Sequence, residues 1–161
     1  MDSIDRDFIA FYQSVGKAYG MDTLTSTLFA RLFIEPGEIG MSELAEETGY
    51  SLASVSNNIR KFELSGLVMK RTKPGTRKIY VEADKNVLKI AFRQFQQFRE
   101  YQALPVSLEI PRLLEKYEKE ELNERQRAKL EILKHYYKDM LKLDTLIEGM
   151  LEKLEILSRE G

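Results

Sequence analysis

The sequence predicts a mainly α-helical fold with a short β-hairpin and long C-terminal helices. Apolar residues recur at helical spacing along most of the 161 residues. Two β-prone runs flank a Pro-Gly turn. The segment after about residue 123 alternates apolar spacings of three and four, as coiled-coil helices do. Together these features predict a winged helix-turn-helix, in which the hairpin is the wing, followed by dimerisation helices.

The helices of the first half are predicted from apolar stripes and capping residues. The first covers residues 4–19, and the second runs from about Thr23 to Ile34. Ser42 is expected to cap a short helix that Gly49 ends. Ser51 caps the next helix, whose apolar face is Leu52, Val55, Ile59 and Phe62. Two short capped helices joined by a turn that contains glycine predict a helix-turn-helix.

The wing follows directly. The runs "GLVMKR" and "KIYVEA" are the predicted strands, and Pro74-Gly75 between them is a turn signal. After Asp84, which can cap, a helix is expected to run to about Gln102. Pro105 and Pro111 predict a break, with a short helix over residues 112–119. A long last helix is predicted from about residue 123.

The predicted domains are an N-terminal packing helix (1–22), the winged helix-turn-helix (23–84), and a helical linker with the dimerisation region (85–161). A long helix with one apolar stripe needs a partner. Either it folds back within the chain or it pairs with a second copy, and the second interpretation is favoured because the preceding domain is small. The predicted seam is Leu133, Tyr136, Met140, Leu143, Ile147, Met150, Leu154 and Leu157.

Charge is concentrated in one region. Seven basic residues and one acidic residue lie between Ser54 and Lys78, a net charge of +6, although the whole chain has −1. The first 53 residues have −6. A basic patch on a helix and a hairpin is typical of contact with a polyanion. A solvated charged surface is the alternative interpretation.

The sequence argues against several other classes of protein. It has no cysteine, one histidine (His135), and neither a GxxxxGK[ST] nor a GxGxxG motif. We therefore expect no enzymatic activity, no metal site and no cofactor. No apolar run is long enough to span a membrane, and the acidic start "MDSIDRDFIA" differs from a secretory signal. A cytoplasmic protein without a membrane partner is predicted.

The predicted DNA-binding face is the polar side of the helix after Ser51. Asn can pair bidentately with adenine, and Ser can bond base edges or phosphates. Arg and Lys would hold phosphates, and the wing would reach the minor groove or the backbone. The candidate residues are Ser42, Ser51, Ser54, Ser56, Asn57, Asn58, Arg60, Lys61, Lys73, Thr76, Arg77 and Lys78.

Aromatic residues allow two interpretations. Those of the first helix and of residues 92–101 could line a pocket for a small-molecule effector, since aromatic faces bind cations. Aromatic stripes at helical spacing are more often core, and that interpretation is favoured.

Three motifs carry a resemblance to a known family. They are "VSNNIR" (Val55–Arg60), "GLV" (Gly66–Val68) and "GTRKIY" (Gly75–Tyr80). With the upstream helix containing Gly16 and Gly20, they resemble the winged helix of the MarR superfamily, most closely its branch typified by the glycine-betaine-synthesis regulator. The resemblance covers about residues 8–90.

This resemblance implies a homodimeric transcriptional regulator, usually a repressor, that binds a pseudo-palindromic operator. Some relatives respond to choline-like ligands. Two other classes of function remain open: a winged-helix module that binds another protein, and an architectural protein that binds DNA without sequence preference.

Overall fold

The computed structural model describes the backbone of residues 1–160 and the side chains of residues 1–159. These residues form two compact units, Met1–Val87 and Leu88 onward. Each unit has its own helices and its own packing, and each is described by itself below.

The first unit contains four helices and three strands. The helices are α1 (Ser3–Ala18), α2 (Thr23–Ile34), α3 (Met41–Thr48) and α4 (Leu52–Leu64). The strands are β1 (Ile39–Gly40), β2 (Val68–Thr72) and β3 (Ile79–Ala83). A helix-turn-helix (α3–α4) followed by a β2–β3 hairpin is the winged helix-turn-helix fold, as predicted.

The small sheet is antiparallel, with the strand order β1-β3-β2. In the hairpin Lys70 lies opposite Val81, and on the other edge Ile39 also lies opposite Val81. Strand β1 was not predicted, because two residues are too few to produce an alternating pattern. It ties the chain before α3 to the wing.

The core lies between the sheet and helices α2, α3 and α4. Six aliphatic side chains of this core are at most 1% exposed: Leu28, Leu32, Leu44, Val55, Ile59 and Val81. Burial of each contributes about 1.5–3 kcal/mol to the stability of the fold. The ring of Phe29 lies 4.9 Å from Tyr12 and 6.0 Å from Phe62, between centroids. Aromatic residues of α1 therefore join this core, which favours the core interpretation for Phe8 and Tyr12.

Helix α1 packs closely on α2 at a glycine. A Cβ placed on Gly16 would lie 2.1 Å from Ser26 Oγ and 3.1 Å from Ser26 Cβ, so a larger residue would displace the Ser26 hydroxyl from its bond to the Asp22 carbonyl. A buried ion network joins α2 to α3. The Arg31 side chain is 7% exposed, its Nη2 lies 2.8 Å from Glu47 Oε2, and it also bonds Glu35.

The second unit consists of helices. Helix α5 (Val87–Phe98) continues through a π-helical turn (Arg99–Ala103) into α6 (Leu104–Glu118), and α7 spans Glu124–Glu160. The predicted break at Pro105 and Pro111, and the separate helix over 112–119, are wrong. Pro105 lies in the first turn of α6, where a missing N–H is tolerated, and Pro111 lies inside the helix.

Helix α7 begins within one residue of its prediction. Asn123 and Gln126 exchange side-chain-to-backbone hydrogen bonds of 2.9 and 3.0 Å, which form a capping box at its start. At 37 residues it is about 55 Å long. Arg99 in the π-helical turn reaches α7, with its Nε 2.6 Å from Asp144 Oδ1 and an ion pair to Glu148.

The predicted seam of α7 divides into two sets. Met140 and Ile147 are buried, and Leu133 and Leu154 are half-buried. The other four seam residues are 38–50% exposed, namely Tyr136, Leu143, Met150 and Leu157. None of the helices in the described part of the chain is both long enough and apolar enough to cross a membrane.

Candidate nucleic-acid interface

The polar helix α4 begins as predicted. Ser51 is its N-cap, and its side chain accepts a hydrogen bond of 3.2 Å from the Ser54 N–H and lies 2.9 Å from Ser54 Oγ. The cap satisfies one of the N–H groups that a helix start leaves without a partner. Ser51 and Ser54 therefore fix the first turn of α4.

Asn58 does not lie on the exposed face of α4. Its side chain is 6% exposed, its Nδ2 donates to the Ser54 carbonyl at 3.2 Å, and Thr25 Oγ1 lies 2.8 Å from its Oδ1. The prediction that Asn58 faces outward beside Asn57 is wrong. A buried amide must be hydrogen-bonded, and these partners join α4 to α2.

The start of α2 belongs to the same polar cluster. Asp22 is the N-cap, and its carboxylate accepts from the Thr25 N–H at 2.7 Å and lies 2.9 Å from Thr25 Oγ1. These bonds lower the pKa of Asp22, and the nearby Lys61 lowers it further. Because the Thr25 hydroxyl has one proton, it donates to Asp22 or to Asn58 at any moment.

The exposed face of α4 is made by other candidates. Asn57, Arg60 and Lys61 are exposed, and Ser54 and Ser56 are half-buried. No carboxylate lies on this side of the helix between residues 51 and 62. We call these five side chains the reading face. It presents one amide, two hydroxyls and two cations.

The wing turn has the predicted geometry. The Thr76 N–H donates to the Lys73 carbonyl at 3.3 Å, and Gly75 has φ of 79°. With Pro74 before it, this is a type II turn, which requires a positive φ at the third residue. Thr76 Oγ1 accepts a hydrogen bond of 3.1 Å from the Lys78 N–H. The hydroxyl of Thr76 therefore stabilises the turn.

The cations of the wing differ in their surroundings. Lys73 Nζ pairs with Glu38 and lies 4.2 Å from the centre of the Tyr80 ring, and the hydrogen bond to Glu38 raises its pKa. Arg77 and Lys78 are exposed, and neither has an ion pair among the described side chains. Lys73 is therefore partly neutralised, whereas Arg77 and Lys78 keep their charges.

Ser42 is not a helix cap. Helix α3 begins at Met41, and its N-cap is Gly40, which provides no side-chain bond. Ser42 is exposed in the first turn of α3. The observed N-cap, Gly40, lies two residues before the predicted one, and it pairs with Tyr80 of β3 at the end of β1.

Leu52 was predicted to be buried but is 48% exposed. It occupies the first turn of α4, on the apolar side of the helical wheel. Helical periodicity groups Leu52 with the buried Val55 and Ile59, so its exposure cannot be predicted from the sequence. In the structure it is an exposed apolar side chain next to the reading face.

Within residues 1–159, no group of three or more His, Asp or Glu side chains is arranged to hold a metal ion. His135 is exposed, with Nδ1 2.8 Å from the Glu131 carbonyl of the preceding turn.

Comparison with known proteins finds likeness in structure. A crystal structure described as a transcriptional regulator has a TM-score of 0.70 and 17% sequence identity, and the match covers 94% of this chain and 97% of that one. A second transcriptional regulator has a TM-score of 0.41 and 16% identity, and the match covers 73% of this chain and 91% of that one. No protein-family model and no curated protein matches the sequence. The first likeness shows a shared fold over nearly the whole chain.

Proposed function

We propose that this protein is a DNA-binding transcriptional regulator that acts as a homodimer on a pseudo-palindromic operator, most simply as a repressor. The observation that carries the proposal is the reading face, which lies on the second helix of a helix-turn-helix next to a cationic wing. A similar fold in a transcriptional regulator supports it. So does the resemblance of the α4 and wing motifs to the MarR superfamily and its glycine-betaine-regulator branch.

The side chains of the reading face suit the major groove. Asn57 can pair bidentately with adenine, and Ser54 and Ser56 are short enough to let the helix approach base edges. Leu52, which is half exposed beside them, can contact a thymine methyl group. Arg60 and Lys61 would hold phosphates and set the position of the helix.

The wing would supply a second contact. Among the described residues, no carboxylate pairs with Arg77 or Lys78. A DNA phosphate could therefore form an ion pair with either side chain. An arginine at a wing tip also senses the narrow minor groove of A-tracts through its negative potential. In a two-fold dimer the two reading helices would lie about 34 Å apart, or a multiple of it.

Salt dependence tests the wing contact. Arg77→Ala should weaken binding to duplex DNA and reduce the slope of log affinity against log salt by about 1, because one phosphate contact releases fewer counterions. Lys119→Ala, which removes an exposed cation at the C-cap of α6, is the control and should leave the slope unchanged. Equal slopes for both variants and the parent chain would refute the wing contact.

The resemblance to the glycine-betaine-regulator branch also suggests a small-molecule effector. We expect a choline-like cation to change the affinity for the operator. Titration of choline into the protein–DNA complex, followed by fluorescence anisotropy, tests this, and an unchanged affinity at millimolar choline would remove this ligand class from the proposal.

A further inference from the structure

A second apolar stripe runs along the exposed side of α7. Its residues are spaced alternately by four and three, and six of the eight are apolar and 38–70% exposed. We call this series the outer stripe: Ile132, Tyr136, Asp139, Leu143, Leu146, Met150, Lys153 and Leu157. At 1.5 Å per residue it extends for about 38 Å.

The outer stripe is distinct from the buried side of the same helix. Met140 and Ile147 lie roughly 70–90° around the helix from the centre of the outer stripe. They are 9% and 4% exposed and so belong to the packing of the chain itself. Two apolar seams on one helix need two partners, one within the chain and one outside it.

The charges of α7 are divided between its two halves. Around Leu146, residues 132–145 contain three basic and two acidic residues, a net charge of +1, whereas residues 147–160 contain two basic and four acidic residues, a net charge of −2. A helix with this division is complementary to a copy of itself that runs in the opposite direction.

The two charged members of the outer stripe show the same symmetry. Asp139 lies seven residues before Leu146, and Lys153 lies seven residues after it. Both are exposed. In an antiparallel pair centred on Leu146, each Asp139 faces Lys153 of the second copy. In a parallel pair Asp139 would face Asp139 and Lys153 would face Lys153, and like charges in direct opposition are destabilising.

We infer that the outer stripe pairs with the outer stripe of a second copy of this chain, antiparallel and centred on Leu146. The inference rests on the proposed homodimer and specifies its surface and its orientation. A second copy fits because it supplies both the apolar stripe and the opposite charge gradient, whereas a partner of uniform charge would oppose one half of the helix.

Cysteine crosslinking distinguishes the orientations, and the chain contains no cysteine that would interfere. Leu143→Cys and Met150→Cys are prepared separately, one with a cleavable tag that changes its size. In the antiparallel pair residue 143 of one copy lies within about one residue of residue 150 of the other. The mixture should therefore form a disulfide that neither variant forms alone, because the like positions are offset by about 10 Å and a disulfide spans Cα atoms about 4.4–6.8 Å apart.

Two results would overturn the inference. Disulfides in each variant alone would indicate a parallel pair. No disulfide in any sample, with normal helix content by circular dichroism, would show that the outer stripe is not an interface between copies.

Charge reversal provides an independent test. Asp139→Lys and Lys153→Asp should each raise the dimer dissociation constant roughly tenfold or more by creating like-charge contacts, and the double variant should restore it. Lys138→Asp, an exposed reversal on another side of α7, is the control and should change the constant less than about threefold. Absence of rescue would contradict the antiparallel arrangement. Both tests are made without DNA, the crosslinking by non-reducing gel electrophoresis and the charge reversal by sedimentation velocity. Their failure is therefore separate from failure of the proposed DNA binding.

Discussion

Replacement by alanine should lower the stability of the protein at Asn58 but hardly change it at the adjacent Asn57. Asn58→Ala removes the hydrogen bond to the Ser54 carbonyl and the one from Thr25 that is shared with Asp22, and a hydrogen bond contributes about 0.5–1.5 kcal/mol. The Thr25 hydroxyl keeps a partner, since Asp22 Oδ2 lies 2.9 Å away, and alanine gains some helix propensity. The expected loss is therefore about 1–2 kcal/mol in the free energy of unfolding. Asn57→Ala removes an exposed side chain and should change stability by less than about 0.5 kcal/mol.

Urea unfolding followed by far-ultraviolet circular dichroism measures both variants. A double-mutant cycle with Thr25→Ala should give a coupling energy between positions 25 and 58 of at least about 0.5 kcal/mol. The same cycle between positions 25 and 57 is the control and should give a value near zero. Equal losses for Asn57→Ala and Asn58→Ala, or no coupling between Thr25 and Asn58, would refute the reasoning.

Three further predictions concern the stability of the first unit. Arg31→Met leaves the carboxylates around it without a cation and should cost about 2–4 kcal/mol in urea unfolding, whereas the exposed Arg112→Met should cost less than about 0.5. Gly16→Ala should cost about 1–3 kcal/mol, because its Cβ has no room, and an unchanged melting temperature would contradict this. The pKa of Asp22 is lowered by its bond from the Thr25 N–H, so its stabilisation is complete above about pH 4 and disappears as the pH falls through the lowered value. Stability of Asp22→Asn should vary less with pH over that range.

The first unit could be predicted closely because its local signals agree with its packing. The bounds of α2 match the prediction, and the wing turn follows from Pro74-Gly75. Gly66, with φ of 67°, ends α4 where Leu67 donates to the Phe62 carbonyl at 2.8 Å. These signals are short in range, so they can be identified from sequence alone.

The errors arise where a partner distant in sequence decides the structure. Asn58 is buried because Thr25, 33 residues earlier, lies opposite it, and helical periodicity contains no information about that pairing. Strand β1 exists only because β3 lies beside it. Pro105 was interpreted as a helix break, but the π-helical turn before it places it at a tolerated position.

Selection of bound duplexes from a random DNA pool tests the central claim most directly. We predict an enriched, two-fold symmetric sequence whose half-sites are spaced by about 10 base pairs or a multiple. With Asn57→Ala the preference at one base of each half-site should be relaxed while total affinity falls by less than about tenfold. An unenriched pool with strong binding would indicate an architectural DNA-binding protein. The absence of DNA binding, together with copurification of a protein partner, would indicate an interaction module, and either result would contradict the account.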